Sequence, residues 1–284
     1  MLGSGNTEME QPGMHILAEA IANKKVILFA GSGISIGLGV PSAKELLKGL
    51  AAGLGIDTSD FMTMGELREL AEYYQLEKGS LEGVREFLDG DGRSSAIDIS
   101  KSRVHELIVQ LDFPIIYTTN YDRWLERAFD SHNIPYTKIT GVRDLLTIKP
   151  GATQIIKFHG DFDDLNSLVF TETAYLQRLE LESPLDVKLR SDILGRSILF
   201  LGSSLTDINL RFLLYKLAKI WSSQQYAQDR PQSYFFMAQP NRVQERILAS
   251  RGITSIEGGK SDPTESLEHF LSGLLAEVNT ARAR

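Results

Sequence analysis

The sequence predicts an α/β fold: a mostly parallel sheet with helices on both faces and a small helical insertion beside it. Three observations predict it. Short apolar, β-branched or aromatic runs recur along the chain. Most are followed by a small polar turn and then by a segment with 3.6-residue periodicity. Several runs are almost continuously apolar, as strands covered on both faces must be.

Taken in order, Met1 to Gly13 is polar and glycine-containing and predicts a flexible start, and the folded region runs from residue 14 to residue 284. Val26–Ala30 is the first strand and leads into a glycine-rich turn. The segments Ser42–Leu54, Met64–Glu77, Leu81–Leu88 and Ser102–Leu111 then carry helical periodicity. A crossover between parallel strands needs one helix, so the surplus, about Ile56 to Asp112, predicts a helical insertion with a mobile loop at Gly90–Ser95. Ile115–Thr118 is the second strand, Tyr136–Thr140 the third and Gln154–Phe158 the fourth. A helical segment at about Glu172–Leu194 precedes Ser197–Leu201, and Ser233–Ala238 and Ile253–Glu257 complete a set of seven strands. The arrangement is Rossmann-like, without internal repeats.

Composition bounds the function. A chain of 284 residues with 42% hydrophobic content buries a large core. A formal net charge of −7 gives no basic footprint for free nucleic acid. There is no cysteine, which excludes disulfides, thiol nucleophiles, iron–sulfur clusters and thiolate zinc sites. No basic stretch followed by an apolar run marks a signal peptide or membrane span, so a cytoplasmic protein without membrane contact is expected.

In an open parallel sheet, ligands sit outside the carboxyl ends of the strands, and four strand ends here carry chemistry. After the first strand comes Gly31-Ser32-Gly33-Ile34-Ser35-Ile36-Gly37-Leu38-Gly39-Val40-Pro41. Such glycines let the backbone approach a pyrophosphate, while a helix start offers free N–H groups. The spacing G-x-G-x-x-x-G is one residue longer than the dinucleotide fingerprint, and no Gly-Lys-Ser/Thr follows, which argues against a P-loop. The structural alternative is a turn with Ser42 and Glu45 as a capping box. The second strand ends Thr118-Thr119-Asn120-Tyr121-Asp122, where Asn120 and Asp122 are read either as helix caps or as groups facing a ribose or a water. The fourth ends Lys157-Phe158-His159-Gly160-Asp161, which puts a titratable imidazole at the lip of the crevice before a glycine that leaves space for a ligand. The fifth ends Leu201-Gly202-Ser203-Ser204, with Asn209 further on. Ser204 and Asp207 have capping-box spacing, whereas Gly202, Ser203 or Asn209 could contact an adenosine ribose.

Together and in this order, Gly31-Ser32-Gly33-Ile34-Ser35 with Gly39-Val40-Pro41, Thr119-Asn120-Tyr121-Asp122, Phe158-His159-Gly160 and Gly202-Ser203-Ser204 resemble the sirtuin family. The resemblance implies that Ala30, Gly31, Ser32, Gly33 and Ser35 bind NAD phosphates. It implies that Asn120 and Asp122 line the nicotinamide-ribose pocket, that His159 is the catalytic base, and that Gly202, Ser203 and Ser204 hold the adenosine end. Two departures stand out. Pro41 is followed by Ser42-Ala43-Lys44 rather than Asp-Phe-Arg, and the four zinc cysteines of the deacylases are missing. The pattern is similar to the zinc-less sirtuin-like effectors of bacterial antiphage defence, which consume NAD as substrate. That resemblance implies NAD+ hydrolysis to nicotinamide and ADP-ribose in abortive infection. It also implies a homo-oligomer meeting other subunits through Ile56–Asp112 or a C-terminal helix at Thr264–Val278. The controlling partner it implies is a HerA-type hexameric ATPase or a short Argonaute-like protein. A carboxylate pair such as carbohydrate hydrolases use is not expected, and Asp122 and Asp161 are read as orienting their neighbours. The rival readings are an NAD-dependent deacylase or ADP-ribosyltransferase and a non-catalytic NAD or ADP-ribose sensor.

Overall fold

Seven parallel strands form one sheet in the order β3-β4-β2-β1-β5-β6-β7. They are β1 Val26–Ala30, β2 Ile115–Thr118, β3 Tyr136–Ile139, β4 Thr153–Lys157, β5 Ser197–Leu201, β6 Ser233–Met237 and β7 Ile253–Glu257. The computed structural model describes residues 13–40, 43–57, 67–90, 96–204, 208–222, 230–259 and 262–284. The sequence readings at residues 1–12, Ser42, the 91–95 part of the expected loop, and Asp207 lie outside these.

Alternation along the strands builds two cores. Val26, Leu28 and Ala30 of β1 face one way, with Ile116, Ile155, Leu199, Leu201 and Phe236. They pack against the helices Met14–Ala22, Arg103–Leu111 and Pro263–Arg282. Ile27 and Phe29 face the other way, with Tyr117, Ile156, Phe200 and Phe235, against Pro184–Asp192 and Ile208–Ser222. Both faces of every central strand are therefore apolar, which is why these strands read as continuous hydrophobic runs. Among the described residues, no helix is long and apolar enough to cross a membrane.

The helices between β1 and β2 divide into two groups. Ala43–Leu54, Leu67–Lys78 and Glu82–Gly90 form a third hydrophobic cluster around Leu50, Leu70, Ala71 and Val84, separate from the sheet cores. Phe162, Leu168 and Phe170, from the segment after β4, complete that cluster. Arg103–Leu111 instead buries Val104, Leu107 and Leu111 against the sheet as the crossover helix. The span Ile56–Asp112 does not coincide with this division.

The expected helical segment Glu172–Leu194 is two helices, Glu172–Arg178 and Pro184–Asp192. Leu181 between them adopts a positive φ of 53°. Ser183 and Asp186 then form a capping box with Pro184 in the first turn, which starts a new helix instead of continuing the old one.

Candidate functional site

One row of backbone partners crosses the sheet at its carboxyl edge. Thr118 of β2 pairs with Lys157 of β4 and with Ala30 of β1, and Ala30 pairs with Leu201 of β5. The four sequence motifs leave the sheet from these four neighbours. With strands about 4.8 Å apart, His159 and Gly202 start three spacings from each other, on either side of the chain reversal at β1.

On the β5 side the loops touch backbone to backbone. The Gly31 amide donates to the Leu201 carbonyl at 2.9 Å, and the Gly33 amide to the Gly202 carbonyl at 2.8 Å. A Cβ on Gly31 would sit 2.6 Å from the Gly202 oxygen, and one on Gly33 would sit 2.6 Å from the Gly202 Cα. Gly202 is left-handed, with φ of +61°. These glycines are therefore required where the two loops cross. A 3₁₀ helix, Ser32–Leu38, starts at this junction, with Ser32 exposed and Ser35 buried. The Ser35 Oγ has no hydrogen-bond partner among the described residues.

The structure separates the two candidate caps after β2. The Asp122 carboxylate accepts from the Trp124 amide at 3.1 Å, one residue before Arg123 at the N-cap of the helix Trp124–Ser131. Burial raises its pKa, with Lys157 opposing. Asn120 caps nothing. Its side-chain amide donates to the Gly31 carbonyl at 3.4 Å, tying the β2 loop to the β1 loop, while its Oδ1 is buried and has no hydrogen-bond partner among the described residues. That Oδ1 and the Ser35 Oγ are acceptors held at the strand ends without a protein donor, which suits a site for a ligand rich in hydroxyls.

His159 is 4% exposed. Its ring lies 6.0 Å from the Phe158 ring at 20° and 5.6 Å from the Tyr175 ring at 73°. Its carbonyl accepts from the Val169 amide at 2.8 Å. Gly160 does not open space for a ligand. Its φ is +88°, and a Cβ there would overlap the Ser167 carbonyl, so the glycine makes room for the chain's own return. Asp161 is fully buried and lies 3.3 Å from Lys138 and 3.6 Å from Lys157. Its charge acts on Asp122, whose pKa it helps burial to raise.

Lys157, at the end of β4, has a structural part at the strand ends that was not read from the sequence. It is 1% exposed, lies 3.3 Å from Glu126, and donates to the Asp122 carbonyl. It therefore ties the β4 end to the loop that carries Asn120. The signal was visible, since a lysine inside an apolar strand run needs buried partners. Burial raises the Glu126 carboxyl, with Lys157 opposing. At the other end of the row, the Ser203 hydroxyl donates to the Leu201 carbonyl at 3.5 Å, Ser204 is exposed, and Asn209 is buried in the helix Ile208–Ser222. A cavity of about 470 Å³ lies elsewhere, in the helical cluster, lined by Gly49, Gly53, Tyr74, Gly83 and Phe87 among others. No sequence-predicted site residue lines it.

Comparison with known proteins gives consistent similarities. A family model described as "SIR2-like domain" matches residues 114–256. The chain is 33% identical over 201 residues to the NAD(+) hydrolase ThsA of Enterococcus faecium, covering 69% of this chain and 41% of that one. It is 27% identical over 231 residues to the NAD(+) hydrolase ThsA of Bacillus cereus strain MSX-D12, covering 81% and 46%. It thus spans less than half the length of these relatives. The fold is similar to that of a SIR2 homologue solved as a complex with NAD, with a TM-score of 0.50 at 13% identity, over 93% of this chain and 94% of that one.

Proposed function

The chain belongs to the SIR2-like family, and from that premise we propose that it is an NAD+ hydrolase that cleaves the bond between nicotinamide and ribose. One observation carries the reading: Asn120, fixed to the Gly31 carbonyl, holds a buried acceptor without a protein donor at the strand row from which His159 also departs. The name NAD(+) hydrolase, carried by relatives at 27 to 33% identity, supports it.

The chemistry asks little of a general acid, because nicotinamide leaves from a cationic ring nitrogen. The site must orient the ribose, shelter its oxocarbenium-like character and place a nucleophile. Asn120 offers its Oδ1 to a ribose hydroxyl or the attacking water. His159 removes a proton from the same hydroxyl or water. Water supplies the oxygen that ends on C1′, and the products are nicotinamide and ADP-ribose. Ala30, Gly31, Ser32, Gly33 and Ser35 hold the phosphates, Asp122 borders the ribose pocket, and Gly202, Ser203, Ser204 and Asn209 hold the adenosine end. No zinc takes part. In the cell this activity is that of a cytoplasmic antiphage effector, a homo-oligomer governed by a HerA-type ATPase or a short Argonaute-like partner.

The test is incubation of the full chain with NAD+ alone, with nicotinamide and ADP-ribose quantified. Stoichiometric release of both without an acceptor is expected. Release that requires an acyl-lysine peptide would make the protein a deacylase. NAD+ that stays intact with each candidate partner present would make it a sensor.

A further inference from the structure

The helix Glu172–Arg178 has seven residues and is too short to hold itself in place in water. Its position comes from its neighbours. Thr171 accepts from the Ala174 amide at 3.3 Å. Glu72, on the helix Leu67–Lys78 of the separate helical cluster, accepts from the Thr173 amide at 2.9 Å. That backbone bond holds the Glu72 carboxyl below its ordinary pKa. The next residue in the same turn after Ala174 is Tyr175, buried, with its ring 5.6 Å from the His159 imidazole in an edge arrangement. The guanidinium of Arg68, one turn before Glu72, lies 3.8 Å above the centre of the Tyr175 ring. Three residues on, the Arg178 guanidinium lies 3.8 Å above Phe158, whose ring stacks on the imidazole.

We propose that Tyr175 is the positioning residue of the His159 imidazole, and that Arg68 and Glu72 lock Tyr175 to the helical cluster. The geometry has a physical reason. An imidazole that must present one nitrogen to a substrate needs its ring plane fixed, and a ring against its edge blocks rotation about χ2. The cation on the outer face of Tyr175 keeps that ring from swinging away. The orientation of His159 thus depends on where the helix Leu67–Lys78 sits.

This inference rests on the NAD+ hydrolase reading, and its test separates the two. Tyr175→Leu, Tyr175→Phe and Arg68→Met are made in the full chain, together with His159→Ala to assign the His159 ring signals in histidine-labelled NMR spectra. Tyr175→Leu is expected to lower kcat for nicotinamide release by about tenfold or more with KM unchanged, since small misplacements of a reacting group cost up to about a hundredfold. Tyr175→Phe keeps the ring and should stay within about twofold of the parent. Arg68→Met should lower kcat by about threefold. The His159 ring signals should move in Tyr175→Leu and Arg68→Met and hold in Tyr175→Phe. Folded Tyr175→Leu with parental kcat and unmoved His159 signals would overturn the proposal. Should Tyr175→Leu fail to fold, Arg68→Met, at a half-buried position, decides by the same two readouts. A parent that releases no nicotinamide counts against the hydrolase reading alone, and the ring signals then decide whether Tyr175 positions His159.

Discussion

At Asn120 and Asp122, two residues with the same preference for helix starts do different things. Asp122 accepts the Trp124 amide, and Asn120 donates its side chain across to the Gly31 carbonyl. The difference sets a residue-scale prediction. Asp122→Ala should lose about 1 kcal/mol of stability, read as a lower melting temperature, and Asp122→Asn should recover most of it because the asparagine oxygen can accept the same amide. Asn120→Ala and His159→Ala should instead fold normally and lose about 10² to 10⁴ in the rate of NAD+ cleavage. The double variant should be hardly worse than the poorer single one, since both groups serve one step. An Asn120→Ala protein that melts several degrees lower yet turns over NAD+ at the parental rate would return Asn120 to a structural role.

At the scale of elements, the strands were legible because each is buried on both faces and shows it as a run such as Val26–Ala30 or Ser197–Leu201. The helices were legible as periodicity but not in their grouping. Nothing local in Arg103–Leu111 says that it packs on the sheet while Leu67–Lys78 does not. Of the site, the motif positions were legible, and the partners that fix them were not. Tyr175, Arg68 and Lys157 lie on other elements or inside a strand, and only the fold brings them to the motifs. Gly160 was legible as a special position but not in its purpose, because the clash it avoids is with Ser167, seven residues later. The crossing of the β1 and β5 loops gives the prediction at this scale. Gly202→Ala puts a Cβ against the Ile34 amide in a left-handed backbone, which costs about 1 to 2 kcal/mol before any clash is counted. It should lower the melting temperature and raise KM for NAD+, because the turn proposed to hold the phosphates rests on the Gly202 carbonyl. Gly195→Ala, where an added Cβ meets open space, is the control and should change stability by no more than about 0.5 kcal/mol. Equal melting temperatures and equal KM in the two variants would show that the loop crossing is not required.

For the molecule as a whole, one buried group away from the strand-end motifs should weaken the fold at mildly acidic pH. His105 lies in the crossover helix Arg103–Leu111 with no exposed surface, its Nδ1 2.8 Å from the Ser102 hydroxyl, within the core shared by that helix, the sheet and the C-terminal helix Pro263–Arg282. Burial lowers its pKa to about 4. An unfolded histidine titrates near 6.5, so between these values the unfolded chain binds a proton that the folded chain refuses. The histidine's contribution is complete above about pH 6.5 and is lost as the pH falls towards 4. At 1.36 kcal/mol per unit, the step from pH 6.5 to pH 5 should remove about 2 kcal/mol. Asp163 and Asp144, whose carboxyls are lowered against opposing burial by Lys138 and by Thr140 respectively, act in the same sense but only below the ordinary carboxylate range. Asp122 and Glu126, whose carboxyls burial raises, act in the opposite sense, so the share of His105 is the difference between the parent and a variant without this histidine. Urea unfolding of the parent and of His105→Leu across this window separates its share. Over this window the parent should weaken by about 2 kcal/mol more than the leucine variant, whatever the stability of either at pH 7. A leucine variant with the parental slope would mean that His105 does not loosen the core in acid.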